Sequence, residues 1–87
     1  MYKIILSSNA KKFYLSSDDK LVQHLNIAFD NLANEPNFGP NIKKLKGKLS
    51  GMFRYRVGNY RIVYSIENQI KIVSIVWIGK RKDAYKN

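Results

Sequence analysis

The sequence predicts an α+β fold: an N-terminal strand, a helical hairpin, then a three-stranded antiparallel meander, with the helices packed on one face of the sheet. Three observations predict it. Between residues 18 and 34, apolar side chains recur at helical spacing. From residue 53 onward the apolar period switches to two, in segments joined by short turn signals. Between these halves lies "EPNFGPN" at 35–41, a loop holding both prolines of the chain and a glycine.

Each element has a local reason. "YKIIL" at 2–6 is a short strand. Ser7 or Ser8 can cap a first helix, in which Ala10, Phe13 and Tyr14 share a face. Ser16, Ser17 and Asp18 interrupt it. In the second helix Leu21, Leu25, Ala28 and Leu32 fall on one stripe, widened by Val22 and Phe29. Asp18 and Asp19 suit the positive end of its dipole. "NEP" at 34–36 stops it, because a proline excludes the residue before it from helical conformation.

"IKKLKGKLSG" at 42–51 is a basic approach segment to the first strand of the meander. "FRYRV" at 53–57 alternates Arg54 and Arg56 with Phe53, Tyr55 and Val57. Gly58-Asn59 is a tight-turn signal. "YRIVYSI" alternates Ile62, Tyr64 and Ile66 with Arg61, Val63 and Ser65, and "ENQ" at 67–69 is the next turn. "IKIVSIVWI" at 70–78 is apolar on both faces, which suits a central strand. Tyr60 and Tyr64 are expected to pack against the sheet, and Trp77 to lie in the core beneath the helices rather than to serve as a base-stacking platform.

Composition bounds the function. Eighty-seven residues make one domain, 1–87, and 45% hydrophobic content makes it globular. There is no cysteine, hence no disulfide framework or thiolate chemistry, and one histidine, hence no metal site built from His and Cys. No glycine-rich phosphate loop, nucleophile elbow or metal motif is present, so no metal and no small-molecule cofactor is expected. "MYKIILSS" is too short in apolar run for a signal peptide, and the stretch Ile72 to Ile78 is too short to span a bilayer. The expected location is the cytoplasm, with no membrane partner.

Charge is the strongest functional signal. Sixteen Lys and Arg face six Asp and Glu, a net +10. Residues 1–40 are balanced, four against four, so the whole surplus lies in residues 41–87. Such segregation points to a polyanion partner: nucleic acid, an acidic protein or a membrane surface. Arg54 and Arg56 point the same way on one strand. Pairing around Gly58-Asn59 brings Arg61 close to Arg56, and Lys80, Arg81 and Tyr85 follow the last strand. Guanidinium groups converging on one face repel one another unless an anion neutralises them.

"KLKG" at 44–47, "RYRVGNYRIVY" at 54–64 and "IGKRKDAY" at 78–85 resemble the RelE branch of the RelE/ParE toxins, the toxic partners of bacterial toxin–antitoxin pairs. The strand–helix–helix order extends the resemblance over essentially the whole chain. It implies an endoribonuclease that cleaves mRNA in the ribosomal A site. The ribose 2′-OH attacks its own 3′-phosphate, leaving a 2′,3′-cyclic phosphate and a 5′-OH. Matched motif by motif, the two basic strand positions fall on Arg54 and Arg56. The arginine of the "GYR"-like element falls on Arg61, the arginine after "GK" on Arg81, and the terminal tyrosine on Tyr85. Lys44, Lys46 and Lys48, with Lys43 beside them, and Lys80 and Lys82 are candidates for RNA phosphate contacts. The partners implied are mRNA, the 70S ribosome and a cognate antitoxin, acidic where it meets the cluster.

The chain departs from the family in its bases. Some members carry lysines where it has Arg54 and Arg56, and others a glutamate and a C-terminal histidine. Arginine is a poor proton acceptor. His24, in the second helix, reads as a surface or boundary residue far along the chain from the motif. Glu67 sits at the wrong end of its strand. Tyr85 remains the titrating candidate, as base or as stacking residue. Two rival readings stay open: a ParE-like inhibitor of DNA gyrase, which shares the "YRIVY" strand, and a non-catalytic nucleic-acid-binding module.

Overall fold

The computed structural model describes residues 1–83. In chain order the elements are β1 (Lys3–Leu6), α1 (Ser8–Ser16), α2 (Asp19–Asn34), β2 (Ile42–Lys44), β3 (Phe53–Val57), β4 (Tyr60–Glu67) and β5 (Ile72–Lys80). Single 3-10 turns occupy Gly47–Leu49 and Arg81–Asp83. The helix boundaries follow the side-chain caps. Ser7 accepts the amide of Ala10 at 3.1 Å, and Asp18 accepts that of Leu21 at 2.9 Å. Glu35, just before Pro36, is extended (φ −150°, ψ 94°), as a residue preceding proline prefers.

The meander β3–β4–β5 forms as expected, but it is the middle of a five-stranded sheet in the order β1-β5-β4-β3-β2. Two flanking strands extend the predicted three. β1 pairs parallel with β5, Ile4 opposite Val73. The basic approach segment is in part a strand: Ile42–Lys44 pairs antiparallel with β3, Lys43 opposite Arg54. β5, β4 and β3 are therefore interior strands, and β4 and β5 supply Ile62, Val63, Tyr64, Val73, Ile75 and Ile78 to the buried apolar set.

Both helices cover one face of this sheet. Ala10 from α1 and Leu25, Ala28 and Leu32 from α2 pack against Tyr55, Ile62, Tyr64, Val73, Ile75 and Ile78. Leu25, Leu32, Ile62 and Tyr64 are fully buried. The Tyr64 hydroxyl donates to the carbonyl of Pro36 at 2.8 Å, tying the sheet to the end of α2. Tyr60 is half-buried, edge-on to Phe13 with ring centroids 5.9 Å apart. Both tyrosines pack as the sequence suggests.

Trp77 does not. Strict alternation from Val73 and Ile75 would put residue 77 in the core. A β-bulge intervenes: Val63 pairs with Trp77 but Tyr64 pairs with Ile75, leaving Val76 extra. Ile75 and Ile78, three residues apart, are both buried under the helices. Val76 and Trp77 between them face the opposite side, which carries no helix among the described residues. Ser7 holds the bulge: its amide donates to the Ile75 carbonyl at 2.8 Å and its hydroxyl to the Val76 carbonyl at 2.9 Å.

Candidate nucleic-acid interface

The helix-free face of the sheet is where the cations gather. On the β3–β4 hairpin the turn is closed by Gly58, whose φ of +56° suits a residue without a side chain. That turn sets the register, and the register makes Arg56 and Arg61 direct cross-strand partners. Opposed residues of an antiparallel pair project on the same side with Cβ atoms only ~5 Å apart. Arg54 lies two residues along, opposite Val63 on one side and Lys43 on the other. Four cationic positions thus occupy one face of β2, β3 and β4.

Their environments differ. Arg61 is 8% exposed, and its Nη1 donates to the carbonyls of Gly58 at 3.0 Å and Tyr60 at 2.9 Å. The turn backbone therefore orients this guanidinium. Arg54 is half-buried and donates from Nη1 to the Asn41 carbonyl at 3.0 Å. That carbonyl also accepts the Arg56 amide at 2.9 Å. The Arg56 side chain is exposed, with no carboxylate partner among the described residues.

Arg81 follows β5 and is exposed, and its amide donates to the Asn59 carbonyl at 2.7 Å. This bond fixes the residue at the end of the sheet that carries the Arg56–Arg61 pair. Lys80, Arg81 and Lys82 share a cleft with Asn59 and Tyr60. Lys80 itself pairs with Tyr60, and so projects from β5 on the helix side while Gly79 pairs with Arg61. Tyr85 lies outside the described residues.

The remaining lysines form a second group. Lys44, Lys46 and Lys48 line a cleft at the β2 edge with Lys43, Leu45 and Leu49. Lys44 pairs with Phe53, so its register position is on the helix side, whereas Lys43 is in line with Arg54. The expected RNA-contact lysines are therefore split between two clefts, one at the β2 edge and one beside Arg81, and Lys43 is in line with the arginine face.

His24 is exposed, as expected for a boundary position, but it is not remote in space. It lines a cleft with Ile27, Tyr55, Arg56 and Gly58, because α2 packs across β3. Glu67 ends β4, exposed and away from Arg61. Among the described residues no cluster of three or more His or carboxylate side chains is gathered that would suit a metal ion, and no helix is long and apolar enough to cross a membrane.

One residue of this face was expected in the core from sequence. Trp77 is half-buried and lies over Gly79: a Cβ at Gly79 would meet its Cζ2 at 2.3 Å and its Cη2 at 2.5 Å. Only glycine leaves room for the indole there. The signal was the Trp-Ile-Gly spacing, which is uninformative without the bulge.

Comparison with known proteins places this architecture. A family model described as the ParE toxin of type II toxin–antitoxin systems matches residues 4–85. Among solved structures, the chain is similar to one in the toxin–antitoxin complex RelBE2 from Mycobacterium tuberculosis. The two share 26% identity and a TM-score of 0.79 over 92% of this chain and 98% of that one. It is similar to one in the archaeal RelE–RelB complex from Pyrococcus horikoshii, with 26% identity and a TM-score of 0.78 over 95% and 98%. The isolated Escherichia coli RelE toxin shares the fold at 20% identity and a TM-score of 0.78, over 92% of this chain and 84% of that one. No curated protein matches the sequence. The family match leaves out only the first three and last two residues, and the fold agrees throughout: the chain belongs to the ParE toxin family of type II toxin–antitoxin systems, within the RelE/ParE superfamily.

Proposed function

We propose that the chain is an mRNA endoribonuclease toxin of RelE type that acts on the ribosomal A site. The observation that carries this reading is the Arg56–Arg61 cross-strand pair, flanked by Arg54 on the sheet face opposite the helices. Two guanidinium groups side by side offer a fork of N–H donors that matches the oxygens of a phosphate.

In the reaction, the 2′-oxygen attacks the adjacent phosphorus, the O2′–P bond forms and the P–O5′ bond breaks. The 2′-hydroxyl proton passes to a base and the 5′-oxygen takes up a proton. The negative charge that builds on the phosphorane oxygens is what guanidinium groups stabilise. Arg61 and Arg81 are assigned to the scissile phosphate, with Arg54 and Arg56 assisting. Tyr85 is assigned as base or stacking residue. Lys43, Lys44, Lys46, Lys48, Lys80 and Lys82 are assigned to general phosphate contacts. Holding the RNA in line for attack supplies much of the acceleration, and acid–base catalysis adds roughly 10²–10⁴-fold.

The toxin requires a neutralising antitoxin, as in the RelBE2 and RelE–RelB complexes of its structural relatives. An acidic segment suits the cationic face. The reading places the protein in the cytoplasm with ribosomes and mRNA.

A second reading is inhibition of DNA gyrase, favoured by the ParE description of the matching family model. Pulse labelling after induction separates the two. Translation stops first if the chain cleaves mRNA, and DNA replication stops first if it poisons gyrase.

A further inference from the structure

The bulge in β5 does more than repack the core. It turns Trp77 out of the helix side and onto the face that carries the arginines. There its ring fills the space that a side chain at Gly79 would take. Gly79 is the cross-strand partner of Arg61, and Arg61 of Arg56. One row across three strands therefore reads indole, guanidinium, guanidinium. Adjacent strands lie only ~4.8 Å apart, so the ring edge and the two charges fit within the reach of a single nucleotide.

This row has two chemistries in order. A guanidinium pair binds phosphate, and an indole offers a π surface to any base. The apolar character continues away from the arginines: Val76 is 36% exposed, and Ile5 on β1 is 42% exposed. Val63, between Trp77 and Arg54 in the register, is 4% exposed although it lies outside the main core. The floor beside the indole is thus dry. Burial against the helices cannot account for Trp77, because the side chain faces away from them.

We infer that Trp77 is the nucleobase platform of this interface: a base of single-stranded RNA stacks on the indole while its flanking phosphates meet Arg56 and Arg61. Trp77 is a positioning residue, holding the strand in register with the arginines. This rests on the nucleic-acid reading above and adds the residue that grips the base.

Trp77 is the only tryptophan in the chain, so its fluorescence reports on this site alone. The test titrates the toxin with a short 2′-O-methyl oligoribonucleotide, which cannot be cleaved by 2′-hydroxyl attack. A strand of equal length with abasic positions serves for comparison. Binding is followed in parallel by the anisotropy of an end label. Stacking is expected to quench the indole emission along the same isotherm, whereas the abasic strand binds with little quenching. Trp77→Leu is expected to weaken the base-bearing strand roughly 5- to 100-fold, the usual range for loss of one base–aromatic stack, and to leave the abasic strand unchanged. Trp77→Phe restores part of the loss. Binding by anisotropy with unaltered emission, in the wild-type protein, overturns the platform and leaves the nucleic-acid reading standing. Absence of binding by either strand overturns the platform, while ribosome-dependent cleavage of a transcript tests the nucleic-acid reading separately. The emission measurement needs no variant, so it holds even if Trp77→Leu folds poorly.

Discussion

Arg56 and Arg61 face each other across the β3–β4 ladder, one exposed and one buried against the turn carbonyls of Gly58 and Tyr60. Their opposition sets two guanidinium groups side by side on one face. Arg56 is exposed, so Arg56→Gln should change stability in urea unfolding by no more than ~0.5 kcal/mol. The same variant should bind RNA more weakly, with a salt dependence shallower by ~0.7 in log–log slope, as for one lost phosphate contact on a single strand. A variant that keeps the wild-type affinity and salt slope would show that the pair is not an anion site.

Arg81 and Arg61 differ in what their removal does to the fold. The Arg81 side chain is exposed, and the bond that fixes the residue uses its backbone amide. Arg81→Ala should abolish growth arrest while changing stability by no more than ~0.5 kcal/mol. Arg61→Ala should also abolish it, but with a loss of about 1–2 kcal/mol as the two turn carbonyls lose their donor. Growth assays paired with thermal melts check both. Toxicity at wild-type level in both folded variants would remove these residues from the site.

Ser7 joins α1 and β5 through one side chain. Its hydroxyl accepts the Ala10 amide, capping α1, and donates to the Val76 carbonyl freed by the bulge. Ser7→Ala should cost about 2 kcal/mol, half from the cap and half from the lost hydrogen bond. Ser7→Asp keeps the cap but has no proton to donate at neutral pH, so it recovers only the first half. Wild-type stability in Ser7→Asp would mean that the bulge does not depend on the Ser7 hydroxyl.

Tyr64 gives the stability a pH signature. Burial, with smaller contributions from Tyr55 and Glu35, holds its hydroxyl far above the ordinary tyrosine range. Below pH ~10 both the folded and unfolded chains keep this proton, so its contribution is constant. Above that, the unfolded chain loses the proton first, and stability falls by about 1.4 kcal/mol per pH unit from this residue. Tyr64→Phe should be about 1–2 kcal/mol less stable at pH 7, because the Pro36 carbonyl loses its donor. Its stability should then decline less steeply between pH 10 and 11 than that of the wild type. Parallel curves would contradict the assignment.

Much of this was legible in the sequence where the signal is local. The α2 stripe from Leu21 to Leu32, the acidic pair Asp18-Asp19 at its start and the turn at Gly58-Asn59 are each read from a few neighbouring residues. Together they fix the helical layer and bring Arg61 opposite Arg56. What was not legible depends on distant partners. β2 is three residues long, with two lysines and one apolar side chain, and only its pairing with β3 makes it a strand. That pairing is what puts Lys43, rather than Lys44, in line with Arg54. The parallel match of β1 with β5 joins the two ends of the chain and leaves no trace in either segment. The bulge at Val76 is the costliest to miss, since alternation carried one residue too far assigns Trp77 to the core and Ile78 to the surface. An all-apolar strand such as "IVSIVWI" does not reveal its own phase.

The central claim is cleavage of ribosome-bound mRNA, and one reaction tests it most directly. A defined transcript is translated in vitro with the purified toxin, then incubated with the toxin alone, and the RNA ends are mapped by primer extension. Cuts within A-site codons that require ribosomes are expected, with 2′,3′-cyclic phosphate at the upstream end. An intact transcript, with translation proceeding at its normal rate, would contradict it and turn attention to gyrase.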